Sequence, residues 1–592
     1  MRRSQIRTLL RRAAAIGTIV FLTAAPLWAQ SLDTLQNTTV KDNAPTIREI
    51  KIEIREIFDE DQLEWFYRTA NSLKINTRTE VIKRELLFKE GDSYDSFSIK
   101  ESERVLRSLR YIHKVTITPK FEGGFVDILV TVQDTWTLIP YLSYSAGSGS
   151  TDNQAIGITE SNLMGYGKRA ELLYRDENGR TSLEGVWQDD RVWDSKNKLL
   201  LGYFDRSDGN RYITSFGLPY RNLESARSWG IETDSADSVG RLFAGGNERF
   251  IFGQEKEDYR FFYSFADVKP DVLIQRYSFG YEINDYSFRE ATLDDFENTN
   301  IDPNSVINDP SLIPLNRKFS YPFFSYSRII PDFITHNYVD KFDRIQDFNL
   351  GNVFSTKVGY APTALGSDED AFLLSFNDSD GFRISPRSFF RGELGGAGRY
   401  SNSDLENGLL RGEIKFIYLL GPRYIGDLFI GNHTFVASSV LNYGYNLDGE
   451  REFYGGASTG LRGYDSRTFY GDKSFFFNME ERIHLVDDII KLVSLGGAFF
   501  VDVGGTTTDS VGSILTDELY GDFGVGLRLG FPRSSGARVL RLDFAVPFRD
   551  GPDGTTGYEI RLVVEGGQLF GAILESERFG ADNVNVSAGF TE

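Results

Sequence analysis

The sequence predicts a mainly β fold: an antiparallel transmembrane β-barrel preceded by one small α+β domain. Three observations predict it. The chain opens with an export-type segment. Strand-length alternating segments then fill one unbroken stretch from about Leu138 to Phe570. Tyr and Phe gather at the ends of those segments, as interfacial girdles require.

The export segment covers residues 1–29. Arg2, Arg3, Arg7, Arg11 and Arg12 give a basic start, Ala13 to Ala25 an apolar middle, and Ala29 a small residue before cleavage at Gln30. The flanks of the arginine pairs fit a folded-protein export signal poorly. No later run reaches about 18 apolar residues, so no membrane-spanning helix is expected. Cysteine is absent, which excludes disulfides and thiolate metal sites. A net charge of −20 argues against nucleic acid as a partner. His113, His336, His433 and His484 stand singly and read as structural or lumen residues, so no metal or cofactor is expected.

Residues 30–45 are polar and aperiodic, a linker. Residues 46–136 form the small domain. Ile50, Ile52 and Ile54 alternate with charged residues, which is a strand. Thr77 with Glu80 reads as a capping box opening a helix that carries Val81, Ile82, Leu86 and Leu87. Ser98 with Glu101 reads as a second box, before Val105, Leu106 and Leu109. Strands over Ile112 to Lys120 and Phe125 to Val132 follow, joined by a Gly123-Gly124 turn. The order is strand, helix, helix, strand, strand, with two helices covering one sheet face.

From residue 137 to 570 the period is two. Phe523, Val525, Leu527, Leu529 and Phe531 oppose Asp522, Gly524, Gly526, Arg528 and Gly530. Leu540, Leu542, Phe544 and Val546 oppose Arg541 and Asp543. Tyr558, Ile560, Leu562 and Val564 oppose Glu559, Arg561 and Glu565. The same period serves a soluble sandwich with its apolar face inward or a barrel with its apolar face toward lipid. The export segment, the number of segments and the aromatic ends favour the barrel. Lipid then demands a closed sheet, because unpaired backbone groups cannot be solvated there. Long acidic connections such as Asp294 to Pro314 and Gly366 to Asp370 read as solvated surface, or as bridges to lipopolysaccharide through divalent cations. Long loops at one end and short turns at the other are expected. Residues 571–592 form a polar C-terminal tail in which Val584, Val586 and Phe590 give a faint strand pattern.

One set of motifs is more specific. Leu461-Arg462-Gly463-Tyr464 follows Gly455-Gly456 and precedes Gly471-Asp472-Lys473. It resembles the [VIL]-R-G-[FY] loop tip of the BamA/TamA superfamily of outer-membrane assembly and translocation barrels. In order with it, Phe499 to Gly504 resembles that superfamily's F-x-D-x-G strand, and Gly524 to Pro532 and Arg541 to Pro547 its last strands. Glu160 to Lys168 is similar to its N-L-x-G-x-G-K turn, and Phe216 to Trp229, with Leu218-Pro219-Tyr220, to its R-P-F-Y segment. Residues 46–136, with the Gly91 to Tyr94 link, resemble one polypeptide-transport-associated (POTRA) domain.

The resemblance implies sixteen barrel strands and an inward loop whose Arg462 meets Asp502 on the wall. With Asp502 facing the lumen, the period of two puts Ser494, Gly496, Ala498, Phe500 and Gly504 beside it and Val493, Leu495, Phe499, Val501 and Val503 on the other face, a register in which an arginine can meet the carboxylate with two parallel hydrogen bonds. Glu480 on the neighbouring strand is a second candidate partner. Well-known members carry five or three POTRA domains; this chain has room for one. The chain also continues past the strand that normally ends the family's barrels.

The function implied is insertion or translocation of unfolded outer-membrane or secreted polypeptides. The POTRA domain would receive substrate strands in the periplasm. The barrel seam, from Leu138 and Tyr141 on the first strand to Tyr558, Gly566, Gly567 and Phe570 on the last, would act as a lateral gate in the outer membrane. Lipid, lipopolysaccharide, periplasmic chaperones and lipoproteins are the further partners considered. A dedicated two-partner-type secretion pore and a passive channel are the alternatives. An enzyme is not expected: Gly456 to Gly460 fits G-x-S-x-G around Ser458, but a nucleophile elbow needs a strand before it and a helix after it.

Overall fold

The computed structural model describes residues 44–57, 75–146, 151–177, 179–297, 302–304, 306–307, 309–489, 493–535, 539–552 and 559–563. The export segment, most of the linker, the tail, and Tyr558, Gly566, Gly567 and Phe570 lie outside them. The chain forms two compact units. One holds the described part of Met1–Ile50 with Lys89–Asp95 and Pro119–Ile128; the other holds Lys51–Phe88, Ser96–Thr118 and Leu129–Glu592.

The small domain runs β1 (Thr46–Arg55), α1 (Thr79–Lys83), α2 (Ser96–Ser108), β2 (Ile112–Glu122) and β3 (Phe125–Asp134), the order the sequence predicts. The strands form one sheet in the order β1–β3–β2. Its core is apolar and tightly closed: Ile82, Leu106, Ile112, Val126, Val130 and Val132 have essentially no exposed surface. Gly123 and Gly124 both adopt positive φ between β2 and β3, as a two-residue hairpin turn of the twist-compatible type needs.

Neither capping box forms. Arg78, not Thr77, stands at the α1 N-cap and makes no side-chain cap. The Thr77 hydroxyl instead accepts from Asn162 Nδ2 at 2.8 Å, and the Thr77 N–H donates to Asp134 at 2.8 Å. Ser98 lies inside α2, and Glu101 is gripped by Arg104 through two 2.8 Å hydrogen bonds. At the first site tertiary partners outcompete the cap; at the second the helix starts earlier, at Ser96, and Glu101 pairs with Arg104 in the same helix. Leu86 and Leu87 fall beyond the short α1.

Among the described residues, twenty antiparallel strands close into one barrel, from Leu138–Ala146 to Glu559–Val563. This corrects the expected sixteen. The chain length only bounded that number, and several connections are only two residues long. Ser207 and Asp208 join one strand pair, Gly245 and Gly246 another, and Asn402 and Ser403 a third. Asn402 and Ser403 both sit at positive φ, again the compact hairpin geometry. Tight hairpins leave residues for more strands. The ring closes where Ser145 pairs with Val563 and Ala146 with Leu562.

The wall decides between sandwich and barrel. Ile156, Leu172, Phe279, Leu374, Ile414, Phe499 and Phe523 are each about half exposed on the outer face. On the alternate positions Asp502, Asp522, Arg528, Arg541 and Asp543 are buried inside. A water-soluble sandwich would reverse these faces; a membrane barrel requires this arrangement. Aromatic rings line the outer face across four neighbouring strands. Phe265 meets Tyr277 at 5.4 Å, Tyr277 meets Tyr326 at 5.4 Å, and Tyr326 meets Phe354 at 6.4 Å between centroids. Such a row suits the membrane interface, where an apolar ring body and a polar hydroxyl are both accommodated.

The end where the Leu138–Ala146 strand begins is here called proximal, the other distal. The long connections do not all fall at one end. Residues 291–316 and 446–472 are distal, but residues 330–352 form a long proximal connection containing a hairpin, Phe333–His336 with Asn349 back to Gln346. The turn Glu160 to Lys168 lies at the proximal end. Its Asn162 side chain accepts from Gly167 N–H at 2.6 Å, and Arg78 N–H donates to Gly165 carbonyl at 3.1 Å. A Cβ on Gly165 would lie 2.4 Å from the Asn76 carbonyl, so only glycine allows α1 to seat there.

Two outcomes are expected. Placing a charge at mid-strand on the lipid face, Phe499→Arg, should cost ~2–4 kcal/mol of folding stability in bilayers, read from a denaturant titration; no loss would contradict a lipid-facing wall. Burial, with the Lys114, Arg344 and Arg533 cations nearby, pushes His113 on β2 down to about 3. The unfolded chain then takes up a proton near pH 6.5 that the folded domain refuses. Stability should be full above about pH 6.5 and fall as pH drops from there toward 3. Hydrogen exchange of β2 in the full chain should show this slope, and His113→Gln should flatten it.

Candidate functional site

The site is assembled in the lumen by a distal loop and three wall strands. Between the Leu428–Tyr445 and Lys473–Ile489 strands, the chain makes a small hairpin of Phe453–Gly455 with Phe469–Gly471. Its tip carries Leu461 to Tyr464. Leu461, Tyr464, Phe469 and Phe476 form one buried apolar cluster against Tyr520, which seats the tip. The Tyr464 hydroxyl, between the carbonyls of Gly521 at 3.2 Å and Arg549 at 2.9 Å, fixes its far side.

The base of the loop is laced across the lumen mouth. Arg399 grips Asp448 with two hydrogen bonds of 2.9 and 2.7 Å. Arg317 pairs with Glu450 and Arg249 with Glu452. These arginines belong to strands remote in sequence, so the loop ties several parts of the wall together.

Arg462 is 1% exposed. Its Nε and one terminal nitrogen donate to the two Asp502 carboxylate oxygens at 2.7 and 2.9 Å, a bidentate fork. Its other terminal nitrogen donates to Glu480 at 2.6 Å. The guanidinium also lies 3.5 Å from the Phe500 ring centroid. The structure thus brings Arg462, Asp502 and Glu480 together. The carboxylate field outweighs burial and holds the guanidinium firmly protonated. Gly463 lets the backbone lie flat on the wall: a Cβ there would sit 2.7 Å from that of Asp522. The other wall residue that orients the fork is Asn478, whose amide donates to Asp502 and to the Gly460 carbonyl, each at 2.8 Å.

The network extends past the residues singled out from sequence. Arg482 Nε donates to Glu480 at 2.9 Å, and its terminal nitrogen to Asp340 at 3.0 Å. Arg528 pairs with Asp543 and stands 3.6 Å from Glu480. The period of two puts Asn478, Glu480 and Arg482 on one face, so Arg482 was accessible to sequence reasoning. Nothing local marks Asp340. Leu138 lies near the proximal start of the first strand, half exposed, and Tyr141 lies on the same strand. Ser458 falls in a 3-10 turn, Ala457–Thr459, that leads into the loop tip and not into a helix.

A family model of the POTRA type, described as a surface antigen variable number repeat, matches residues 72–134. Residues 72–134 form a POTRA domain. No curated protein sequence matches the chain. Among solved structures, CdiB from Acinetobacter baumannii is similar at 12% identity, over 88% of this chain and 74% of its own, with a TM-score of 0.44. BamA from Haemophilus ducreyi lacking POTRA domains 1-3 is similar at 14% identity, over 88% and 84%, with a TM-score of 0.33. CdiB from Escherichia coli is similar at 10% identity, over 88% and 76%, with a TM-score of 0.41. Likeness at these scores decides neither strand number nor activity. A POTRA domain ahead of a closed barrel is nonetheless the architecture that the motif resemblance implies.

Removing one member of a buried charge pair leaves the other uncompensated, at a cost of ~3–5 kcal/mol. Arg462→Ala and Asp502→Ala should each destabilise by that order, and the double variant by clearly less than their sum. Unfolding in detergent followed by electrophoretic mobility measures all three; full additivity would rule out the pair.

Proposed function

We propose that the protein inserts or translocates other polypeptides at the bacterial outer membrane, with the POTRA domain in the periplasm. The observation that carries this reading is the Arg462 fork. It holds a loop inside the lumen of a barrel that follows a POTRA domain. A loop pinned by buried charge fills the space that a passive channel would keep open.

Two physical steps make up the proposal. The three-stranded POTRA sheet has β1 and β2 at its edges, where an extended substrate strand can add by backbone hydrogen bonds. The barrel closure between the first and last strands is then the lateral gate, and its parting exposes strand edges that template a client. A client strand paired on the opened edge keeps its backbone groups satisfied as it enters lipid. Lipid and lipopolysaccharide surround the barrel. Periplasmic chaperones or lipoproteins would deliver clients. The proposal involves no cofactor and no enzymatic step.

The test uses the purified protein in liposomes. Unfolded, chaperone-held outer-membrane proteins should fold faster in its presence, and Arg462→Ala should lose most of that acceleration. No acceleration for several clients would favour a dedicated secretion pore or a passive channel. The chain has no cysteine, so Ser145→Cys with Val563→Cys, directly opposed in register, allows the seam to be locked. Oxidation should abolish the activity and reduction restore it; undiminished activity when oxidised would refute the lateral gate.

A further inference from the structure

The long proximal connection, residues 330–352, enters the lumen from the end opposite the Arg462 loop. Its hairpin buries Ile334, Val339, Phe348 and Leu350 against Phe389, Ile417 and Val436 of three wall strands. Those wall residues share the inward parity of Glu413 and Lys415, while Phe390, Leu394 and Ile414 face outward. The hairpin is therefore packed on the lumen side of the wall.

Its tip crosses to the strands that hold the Arg462 fork. Thr434 donates to the Tyr338 carbonyl at 2.6 Å, and the Tyr338 hydroxyl donates to Asp487 at 2.7 Å. Arg482 donates to the Val339 carbonyl at 2.9 Å and to Asp340 at 3.0 Å. Phe342 packs on His484 and fills the space beside Gly530, where a Cβ would sit 2.1 Å from its ring. Tyr338 takes a positive φ of 58°, a conformation costly for a bulky residue and one that the surrounding contacts must hold.

The outer side of the hairpin faces the POTRA domain. Arg107 of α2 grips Asp347 with two hydrogen bonds of 3.0 and 2.6 Å. Lys114 of β2 meets Asp343 at 3.1 Å, and Arg344 donates to the Ile112 carbonyl at 3.2 Å. Polar contacts thus run from α2 to Asp347 on the hairpin, across the hairpin through Gln346, which donates to Asp340 at 3.3 Å, and on through Arg482 and Glu480 to Arg462.

We propose that the Phe333–Asn349 hairpin is a second plug, closing the lumen from the periplasmic side. It is tied to the POTRA domain by Arg107 and to the Arg462 fork by Arg482. The lumen is then closed twice, and displacement of the POTRA helices withdraws the lower plug. This does not depend on which polypeptide the protein handles, and it is tested with no client present.

The experiment is ion conductance of the full chain in planar bilayers. Folding of every variant is checked by the mobility difference between heated and unheated samples. Arg462→Ala alone should conduct little more than the unaltered protein, because the lower plug remains. Replacing residues 334–348 by a short Gly/Ser linker in the Arg462→Ala background should raise steady conductance at least tenfold. Asp340→Ala with Arg462→Ala, a milder change, should give frequent transient openings. Asp347→Ala should increase labelling of a Ser438→Cys lumen reporter by a small thiol reagent added from the POTRA side. If the hairpin replacement conducts no more than Arg462→Ala, the hairpin is not a plug. If it conducts more but Asp347→Ala leaves the reporter closed, the plug stands and its control by the POTRA domain is refuted.

Discussion

Glu480 is the residue on which the lumen depends. It accepts hydrogen bonds from Arg462, which arrives on the distal loop, and from Arg482, which holds the proximal hairpin. A carboxylate buried in a protein interior is stable only when opposite charge and hydrogen bonds replace water. Here one replacement comes from the distal loop, and the other from Arg482 on the same wall strand, which the proximal hairpin holds through Asp340 and the Val339 carbonyl. Each guanidinium likewise needs its acids, Asp502 for one and Asp340 for the other. The two segments are therefore linked only through the wall pair: without the loop Glu480 keeps Arg482, and without the hairpin Arg482 keeps Glu480.

That arrangement is possible because the wall segregates its two faces. A strand turns alternate residues to opposite sides, so one run of sequence supplies lipid-facing Phe523, Val525 and Leu527 and lumen-facing Asp522 and Arg528. Closure into a ring leaves no backbone edge among the described strands. The interior is then free to be polar, and it is lined with charge that an ordinary protein core would reject. The low dielectric that makes such groups costly also makes their pairing directional, which is why short, bidentate contacts dominate the centre.

The POTRA domain is joined to the barrel in the same language. Glu85 takes two hydrogen bonds from Arg191 at 2.9 and 2.6 Å. Thr77 exchanges a helix cap for Asn162, and Arg107 reaches Asp347. One of these contacts uses a residue that sequence reasoning reads as local: Thr77, in a capping box with Glu80. Local rules fail there because a partner remote in sequence offers a stronger bond than the residue's own helix. The same failure marks Asp340, which lies in a connection with no periodicity to place it.

The sequence by itself determined the strand period, the residues that share a face with Asp502, the order of elements in the POTRA domain and the motif that carries Arg462. All of these follow from spacing along one segment or from residue types in a fixed order. The tertiary structure alone decided that the ring has twenty strands among the described residues, that the apolar face looks outward, and that a proximal hairpin is linked to the distal loop through Arg482 and Glu480. Period two is identical for a wall turned either way, and ring size depends on how tightly successive hairpins turn. The meeting at Glu480 depends on closure, which brings residues 340, 462, 480 and 502 together only after the whole sheet has curved back on itself.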